Sequence, residues 1–215
     1  GTDNLGRDVF SMAIYGTRAS LYVGITAAII STLIGITIGA ITGYYGGLFD
    51  KVVSEILNIF LMIPTFFLII LCVSFYGSGI RNVVIVIALT SWMGTARMMR
   101  AQTMSIKERD FINSSICMGE SDFNIIFRHI LPHGIFPIVV NATLSISSAI
   151  LYEASLSFLG LGDRTIVSWG QLIYNGRAYL TNAWWITTFA GLFLVVGFSM
   201  IANGINKMLV DESNE

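Results

Sequence analysis

The side chains of this chain that could do chemistry are concentrated in one polar segment, 97–132, which reads RMMRAQTMSIKERDFINSSICMGESDFNIIFRHILP. Five of the twelve Lys and Arg residues lie there, namely Arg97, Arg100, Lys107, Arg109 and Arg128. Three acids, Glu108, Asp110 and Glu120, lie near the first helix predicted in this segment, and such mixed charge is unfavourable for a helix resting on anionic lipid. The segment is therefore predicted to bind a soluble protein partner.

Two histidines in this segment, His129 and His133, have the spacing of a metal-binding pair on a helix. Pro132 lies between them and no Glu follows His129, so the zinc-protease pattern is not met. The sequence also contains no glycine-rich phosphate-binding motif, and the chain is predicted not to hydrolyse ATP itself. No catalytic residue, metal or cofactor is expected in this chain.

Glu153 is the only carboxylate that we place within a membrane span beyond the span's first turn. An ionisable group in that position is unfavourable unless it is paired or hydrated, which makes Glu153 a candidate for the transport pathway. Because it lies near the predicted outer end of its helix, a structural ion pair with Arg164 or Arg177 is the favoured interpretation.

The composition indicates an integral membrane protein. Of the 215 residues, 54% are hydrophobic and 12% are charged, whereas soluble domains carry about 25% charged residues. The net charge of −1 argues against nucleic acid as a partner. Cys72 is expected in a span and Cys117 in the polar segment, so we predict two free thiols.

Runs without charge predict where the chain crosses the membrane. A spanning helix needs about 20 apolar residues, and four runs are longer: 31 residues after Arg18, 25 after Glu55, 24 after Arg128 and 29 after Arg177. The shorter run 82–96 can span if the arginines that follow it extend to the interface. Five helices are expected, at 19–45, 52–77, 82–104, 133–158 and 182–206.

The dense cluster of positive charge beside span ends places the polar segment in the cytoplasm. The chain would then begin outside, which implies a missing preceding span. The expected parts of this single domain, 1–215, are an external segment (1–18), a bundle (19–206) that includes a cytoplasmic loop (105–132) and an external loop (159–181), and a cytoplasmic tail (207–215).

The cytoplasmic loop is predicted to begin with a helix at 107–118. Ser105 is its candidate N-cap, with Glu108 three positions on, as in a capping box. Gly119 suits a chain reversal after this helix because glycine tolerates backbone angles that other residues avoid.

A second helix of the loop is predicted to start at Ser121, a good N-cap residue. Asp122 in its first turn is favourable at the positive end of the helix dipole. Pro132 is expected to end the loop and to begin the next span.

Two features of the first spans concern packing. Gly35, Gly39, Gly43 and Gly47 recur every four residues, a stripe that lets another backbone approach closely. Tight packing is the favoured interpretation, ahead of a moving helix contact. Pro64 is predicted to kink the second span.

Three motifs then point to a family. The chain opens with GTDNLGRD, residues 1–8, and residues 153–162 read EASLSFLGLG. Within the polar segment, Asn-Ser-Ser at 113–115 is followed four residues later by Gly119 and finally by Leu-Pro at 131–132. Together these resemble a permease subunit of binding-protein-dependent ABC importers of the peptide and nickel type, similar to the C subunits of dipeptide and oligopeptide transporters. The resemblance covers essentially the whole chain.

The resemblance implies an all-α membrane protein with the type I permease fold of ABC importers, located in the bacterial plasma (inner) membrane. This family usually has a further helix before the opening motif. It also implies a cytoplasmic coupling helix that contacts the ATPases. The residues expected in this ATPase-coupling loop are Glu108, Asn113, Ser114, Ser115, Gly119, Ser121, Asp122, Leu131 and Pro132.

The same resemblance implies the partners and the cargo. The chain would pair with a second, homologous permease, bind two cytoplasmic ATPases that hold ATP and Mg²⁺, and receive substrate from an external binding protein. The expected substrate is a short peptide, and nickel or a metal chelate is the alternative. The alternatives of another class are a stand-alone secondary transporter and an intramembrane hydrolase. The former usually shows internal repeats and paired ionisable groups, and neither is seen.

Overall fold

The computed structural model describes residues 1–212, and the side chains of all of these except 198, 201, 202 and 205–212. Among them the chain is helical, and its only β-structure is an isolated bridge between Thr2 and Asp8. The helices are α1 (Val9–Tyr45), α2 (Gly47–Met62), α3 (Thr65–Tyr76), α4 (Ile80–Lys107), α5 (Asp110–Cys117), α6 (Asp122–Phe158), α7 (Trp169–Gly176) and α8 (Trp185–Glu212).

Three of these helices, α1, α4 and α6, are long and apolar enough to cross a membrane. The pair α2 and α3 meets the same criteria only when it is taken as one interrupted span, so the described residues support three spans or four. The fifth span predicted from the sequence, 182–206, corresponds to α8. Its described apolar part, Trp185–Gly197, is shorter than a span, and that fifth span stays a prediction.

Local sequence explains how the first helices begin and end. The Asp8 carboxylate caps α1 by accepting the Ser11 N–H at 2.8 Å. The chain leaves α1 at Gly46, whose φ of 65° is a left-handed value. Helix α2 ends before Pro64, because the residue that precedes a proline avoids helical angles, and Ile63 is extended. The predicted interruption at Pro64 is confirmed.

The chain divides into two compact units. The first unit consists of Gly1–Ala28, Phe66–Ala88 and Thr143–Glu215, and the second unit of Ile29–Thr65 and Leu89–Ala142. The core of the first unit includes the following buried residues: Val23, Ile69, Val83, Ile87, Ala149 and Leu156. The core of the second unit includes these: Ala40, Met99, Ile106, Ile112, Ile125, Ile130 and Ile138.

The glycine stripe on α1 is a site of close packing in the second unit. A Cβ atom at Gly39 would lie 2.4 Å from the carbonyl oxygen of Ala96, and one at Gly43 would lie 2.7 Å from that of Arg100. These distances are too short for any side chain, so α1 and α4 touch through backbone. Gly47 does not belong to this contact, because it begins α2 and a Cβ there would have none of the described α4 atoms within 4 Å.

The helix predicted at 107–118 with Ser105 as its N-cap is wrong in its boundaries. Helix α4 runs through Ser105 to Lys107, and α5 begins at Asp110 after an extended Arg109. The reason is burial, since Thr103 and Ile106 are buried in the core side of α4 and keep its last turns helical.

The predicted end of the loop at Pro132 does not coincide with a helix end. The helix that starts at Asp122 continues through Pro132 to Phe158, with a π-helical turn over Ile125–Ile130. Leu131 donates its N–H to the carbonyl of Ile126, five residues back. Because Pro132 has no N–H to donate, the α-helical bond to Arg128 cannot form, and a wider turn accommodates the proline without a break.

Candidate functional site

The reversal between α5 and α6 is built by Gly119. Its φ of 78° is left-handed, and two backbone bonds close the end of α5, from Gly119 N–H to the Ile116 carbonyl and from Glu120 N–H to the Ser115 carbonyl. This is the Schellman arrangement that commonly ends helices at glycine. Ser121 then caps α6, accepting the Asn124 N–H at 3.4 Å. The predicted turn and cap are confirmed.

The predicted coupling residues are divided between an exposed and a buried set. The exposed ones are Glu108, Asn113, Ser114, Gly119, Ser121, Asp122 and Pro132. Ser115 is buried and Leu131 is half-buried, so these two pack inside the second unit and are placed to support the surface from within.

Apolar side chains lie exposed on the same turn, which the sequence interpretation did not single out. Met118 is 79% exposed, Phe123 66% and Ile116 45%. Phe127 is also exposed, and its ring centroid lies 4.4 Å from that of Phe123. We call Ile116, Met118, Phe123 and Phe127 the apolar patch. The signal in the sequence was the apolar residues interspersed among the charges of the polar segment.

Two hydrogen bonds tie this turn to the end of α1. The Tyr44 hydroxyl donates to the Asp122 carboxylate at 2.7 Å. The Lys107 ammonium donates to the Tyr44 carbonyl and lies 5.1 Å from the centre of the Tyr44 ring. The ends of α1 and α4 and the start of α6 therefore share one polar cluster.

Further polar pairs hold the second unit around this cluster. Arg100 forms an ion pair with Asp50 through two hydrogen bonds, and Arg97 donates to Asn58 at 2.6 Å. Spacing in the sequence gave no signal for these pairs, because Arg100 and Asp50 are fifty residues apart.

The two histidines face different partners. His129 lies 2.9 Å from the Glu120 carboxylate, so the pair joins the π-helical turn to the reversal. His133 hydrogen bonds through Nδ1 to the carbonyl of His129, at 2.6 Å. Its ring also packs against Phe111, with centroids 5.1 Å apart.

Glu153 lies in the first unit and is held by serine hydroxyls, which corrects the predicted ion pair with Arg164 or Arg177. Ser157 donates at 2.7 Å, Ser168 at 2.8 Å and Ser20 at 3.5 Å. The carboxylate is buried, and its three partners come from α6, α1 and the segment before α7. Arg177 donates instead to the Phe158 carbonyl.

The EASLSFLGLG segment, 153–162, holds the loop that follows α6 in place through close contacts at glycines. A Cβ at Gly162 would lie 2.0 Å from the Ser157 hydroxyl, and one at Gly170 would lie 2.5 Å from the Ala154 Cα. The loop also bonds to the start of α4, where the Ile80 N–H donates to Asp163. Hydrogen bonds from Thr165, chiefly from its side chain, lower the pKa of Asp163 below its ordinary value.

Comparison with known proteins decides the family. The family described as "Binding-protein-dependent transport system inner membrane component" matches residues 35–212. The chain belongs to this family. It is thus an inner-membrane component of a binding-protein-dependent transport system, and its long apolar helices agree with that location.

Relatives within the family cover almost all of this chain. The dipeptide transport system permease protein DppC of Alkalihalophilus pseudofirmus is 38% identical over 97% of this chain and 70% of its own length. The oligopeptide transport system permease protein OppC of Haemophilus influenzae is 38% identical over 97% and 68%. The glutathione transport system permease protein GsiD of Pectobacterium atrosepticum is 37% identical over 97% and 71%.

Solved structures confirm the predicted fold of an ABC importer permease. The MetNI methionine ABC transporter, in an inward-facing conformation, matches with a TM-score of 0.76 at 19% identity over 93% of this chain and 95% of that one. An amino acid ABC transporter matches with a TM-score of 0.70 at 14% identity over 94% of both chains. At these identities the likeness concerns the fold alone.

Proposed function

We propose that this chain is a permease subunit of an ATP-driven importer of short peptides. The observation that carries this proposal is the similarity to dipeptide and oligopeptide permeases over 97% of the chain. The proposed assembly contains a second, homologous permease, two cytoplasmic ATPase subunits that bind ATP and Mg²⁺, and an external binding protein that delivers the peptide.

The turn between α5 and α6 is the proposed ATPase contact. Its apolar patch is exposed in a segment that we place in the cytoplasm, where only a protein partner would cover it. Glu108, Asn113 and Ser114 are also exposed in this segment, and a protein interface combines an apolar centre with a polar rim.

The proposed mechanism is alternating access driven from this turn. Closure of the ATPases on ATP would move α5, and the Schellman turn at Gly119 would carry the displacement to Asp122. The bond from Tyr44 to Asp122 and the bond from Lys107 to the Tyr44 carbonyl would pass it to α1 and α4. Reorientation of these helices would open the pathway outward, so that the binding protein can release its peptide.

The test is peptide uptake into proteoliposomes that contain the complete importer. We expect uptake of a labelled tripeptide that requires ATP, both permeases, the ATPase subunits and the binding protein. Uptake by this chain alone, driven by an ion gradient and independent of the ATPases, would overturn the proposal in favour of a secondary transporter.

A further inference from the structure

A cavity of about 880 Å³ opens beside the first turns of α1 in the first unit. Its other walls are the start of α4 and residues 165–167 of the loop that is anchored at Asp163. Sites for small organic molecules have volumes of about 300–1,000 Å³, so the cavity is large enough for a short peptide. In the orientation predicted above it lies at the outer side of the membrane.

One stripe of α1 supplies the polar wall of this cavity. Ser11, Tyr15, Arg18 and Tyr22 line it at intervals of four, three and four residues, which places them on one helix face. Tyr15 is 66% exposed and Tyr22 is 49% exposed. Arg81, from the first turn of α4, also lines the cavity.

The charged side chains that line the cavity do not all neutralise one another. The Arg7 guanidinium is paired with Asp3 at 2.7 Å. The Asp8 carboxylate is occupied by the N–H and the hydroxyl of Ser11, at 2.8 and 2.6 Å. Over the part of the chain that the structure describes, neither Arg18 nor Arg81 has a carboxylate within 4.0 Å.

These two arginines have the chemistry to bind an anionic group. Arg18 lies 5.9 Å from the centre of the Tyr15 ring, a contact that leaves the donors at the guanidinium edge available. Guanidinium groups bind carboxylates with paired, charge-assisted hydrogen bonds. The exposed tyrosine rings beside them provide apolar surface for a neighbouring side chain of the ligand.

We propose that this cavity receives the free C-terminal carboxylate of the incoming peptide, with Arg18 and Arg81 as its ligands. This inference rests on the peptide importer proposed above. A terminal carboxylate is shared by all unmodified peptides, so recognition through it is independent of the side chains. The cavity thereby favours uptake of peptides with a free C-terminus.

The experiment compares a tripeptide with its C-terminal amide in the reconstituted importer, with the binding protein kept saturated by either peptide. For Arg18→Gln and for Arg81→Gln we expect uptake of the free acid to fall about fivefold, the effect expected for a partly exposed ion pair. Uptake of the amide is expected to stay at the wild-type rate. Arg18→Lys keeps the charge and is expected to restore part of the loss.

The matched control is Arg164→Gln, since Arg164 belongs to the same loop but does not line the cavity. It is expected to leave both rates unchanged. Each variant is first checked for assembly with the partner subunits by size-exclusion chromatography.

Equal losses for acid and amide in Arg18→Gln and in Arg81→Gln would overturn the inference, because they would show a general effect on transport. A loss that occurs only in membranes with anionic lipid would also overturn it and would assign the arginines to a lipid phosphate. Failure of the proposed function itself would look different, since the wild-type importer would then take up neither peptide.

Discussion

Inside the first unit, the carboxylate of Glu153 accepts hydrogen bonds from three serine hydroxyls. We predict that Glu153→Leu destabilises the protein by about 1–3 kcal/mol, because the buried hydroxyls lose their acceptor. Glu153→Gln keeps an acceptor oxygen and is expected to be milder. Thermal unfolding of the purified complex in detergent measures the stability of both variants. A leucine variant as stable as the wild type would show that the hydrogen bonds to Glu153 do not stabilise the protein.

Replacement of Gly119 is expected to strain the turn between α5 and α6. Its left-handed φ of 78° is unfavourable for a β-branched side chain. Among the described residues, and apart from its chain neighbours, none has an atom within 4 Å of the point that a Cβ would occupy, so the expected obstacle is backbone strain. Gly119→Val is predicted to cost about 1–2 kcal/mol locally and to uncouple ATP hydrolysis from peptide uptake.

Gly119→Asn is the control for this turn, because asparagine tolerates left-handed angles better than most residues. The measurement is the ratio of peptide imported to ATP hydrolysed in proteoliposomes. An unchanged ratio for Gly119→Val in a fully assembled importer would mean that the turn does not transmit the displacement.

The close contact between α1 and α4 predicts that a larger residue at Gly39 destabilises the protein. A methyl group at Gly39 would lie 2.4 Å from the Ala96 carbonyl oxygen, so we expect Gly39→Ala to force the helices apart and to destabilise the protein by about 1–3 kcal/mol. The measurement is the melting temperature in detergent.

Gly94→Ala is the matched control, since it makes the same change within α4 at a position where no described residue of another helix lies within 4 Å of the added carbon. Alanine is favoured over glycine in a helix by about 1 kcal/mol, so its melting temperature is expected to be equal or higher. Equal melting temperatures for wild type, Gly39→Ala and Gly94→Ala would contradict the close contact.

Helix ends show where sequence reasoning succeeded and where it failed. The interruption at Pro64, the reversal at Gly119 and the cap at Ser121 were predicted because each depends on one residue's own backbone preference. The boundary near Ser105 was predicted wrongly, and the helix continues without a break through Pro132. There the burial of α4 and a π-helical turn, both set by the rest of the fold, outweighed the local preference.

For the molecule as a whole, composition and charge-free runs were sufficient to predict an integral membrane protein. The motifs were sufficient to predict its family. The partners of Glu153 could not be predicted, because the serines come from three segments, and the farthest serine lies 133 residues from Glu153 in the sequence. The bond from Tyr44 to Asp122 spans 78 residues and gave no pattern in the sequence. Contacts of this kind depend on how the helices pack. The spacing of residues in one sequence does not reveal that packing.

A cysteine that the chain already contains can test whether the turn between α5 and α6 binds the ATPases. Cys117 is exposed at the end of α5, whereas Cys72 is half-buried in α3. The measurement is photo-crosslinking from a thiol-reactive label on the complete importer. Cys117→Ser leaves only the Cys72 probe, and adding Met118→Cys to it supplies a second probe in the apolar patch.

We predict ATPase adducts from residue 117 and from the added cysteine at 118, and none in Cys117→Ser alone. The label must leave peptide-stimulated ATP hydrolysis intact, which shows that the importer is assembled. Absence of an ATPase adduct from both positions in such an active importer would contradict the claim.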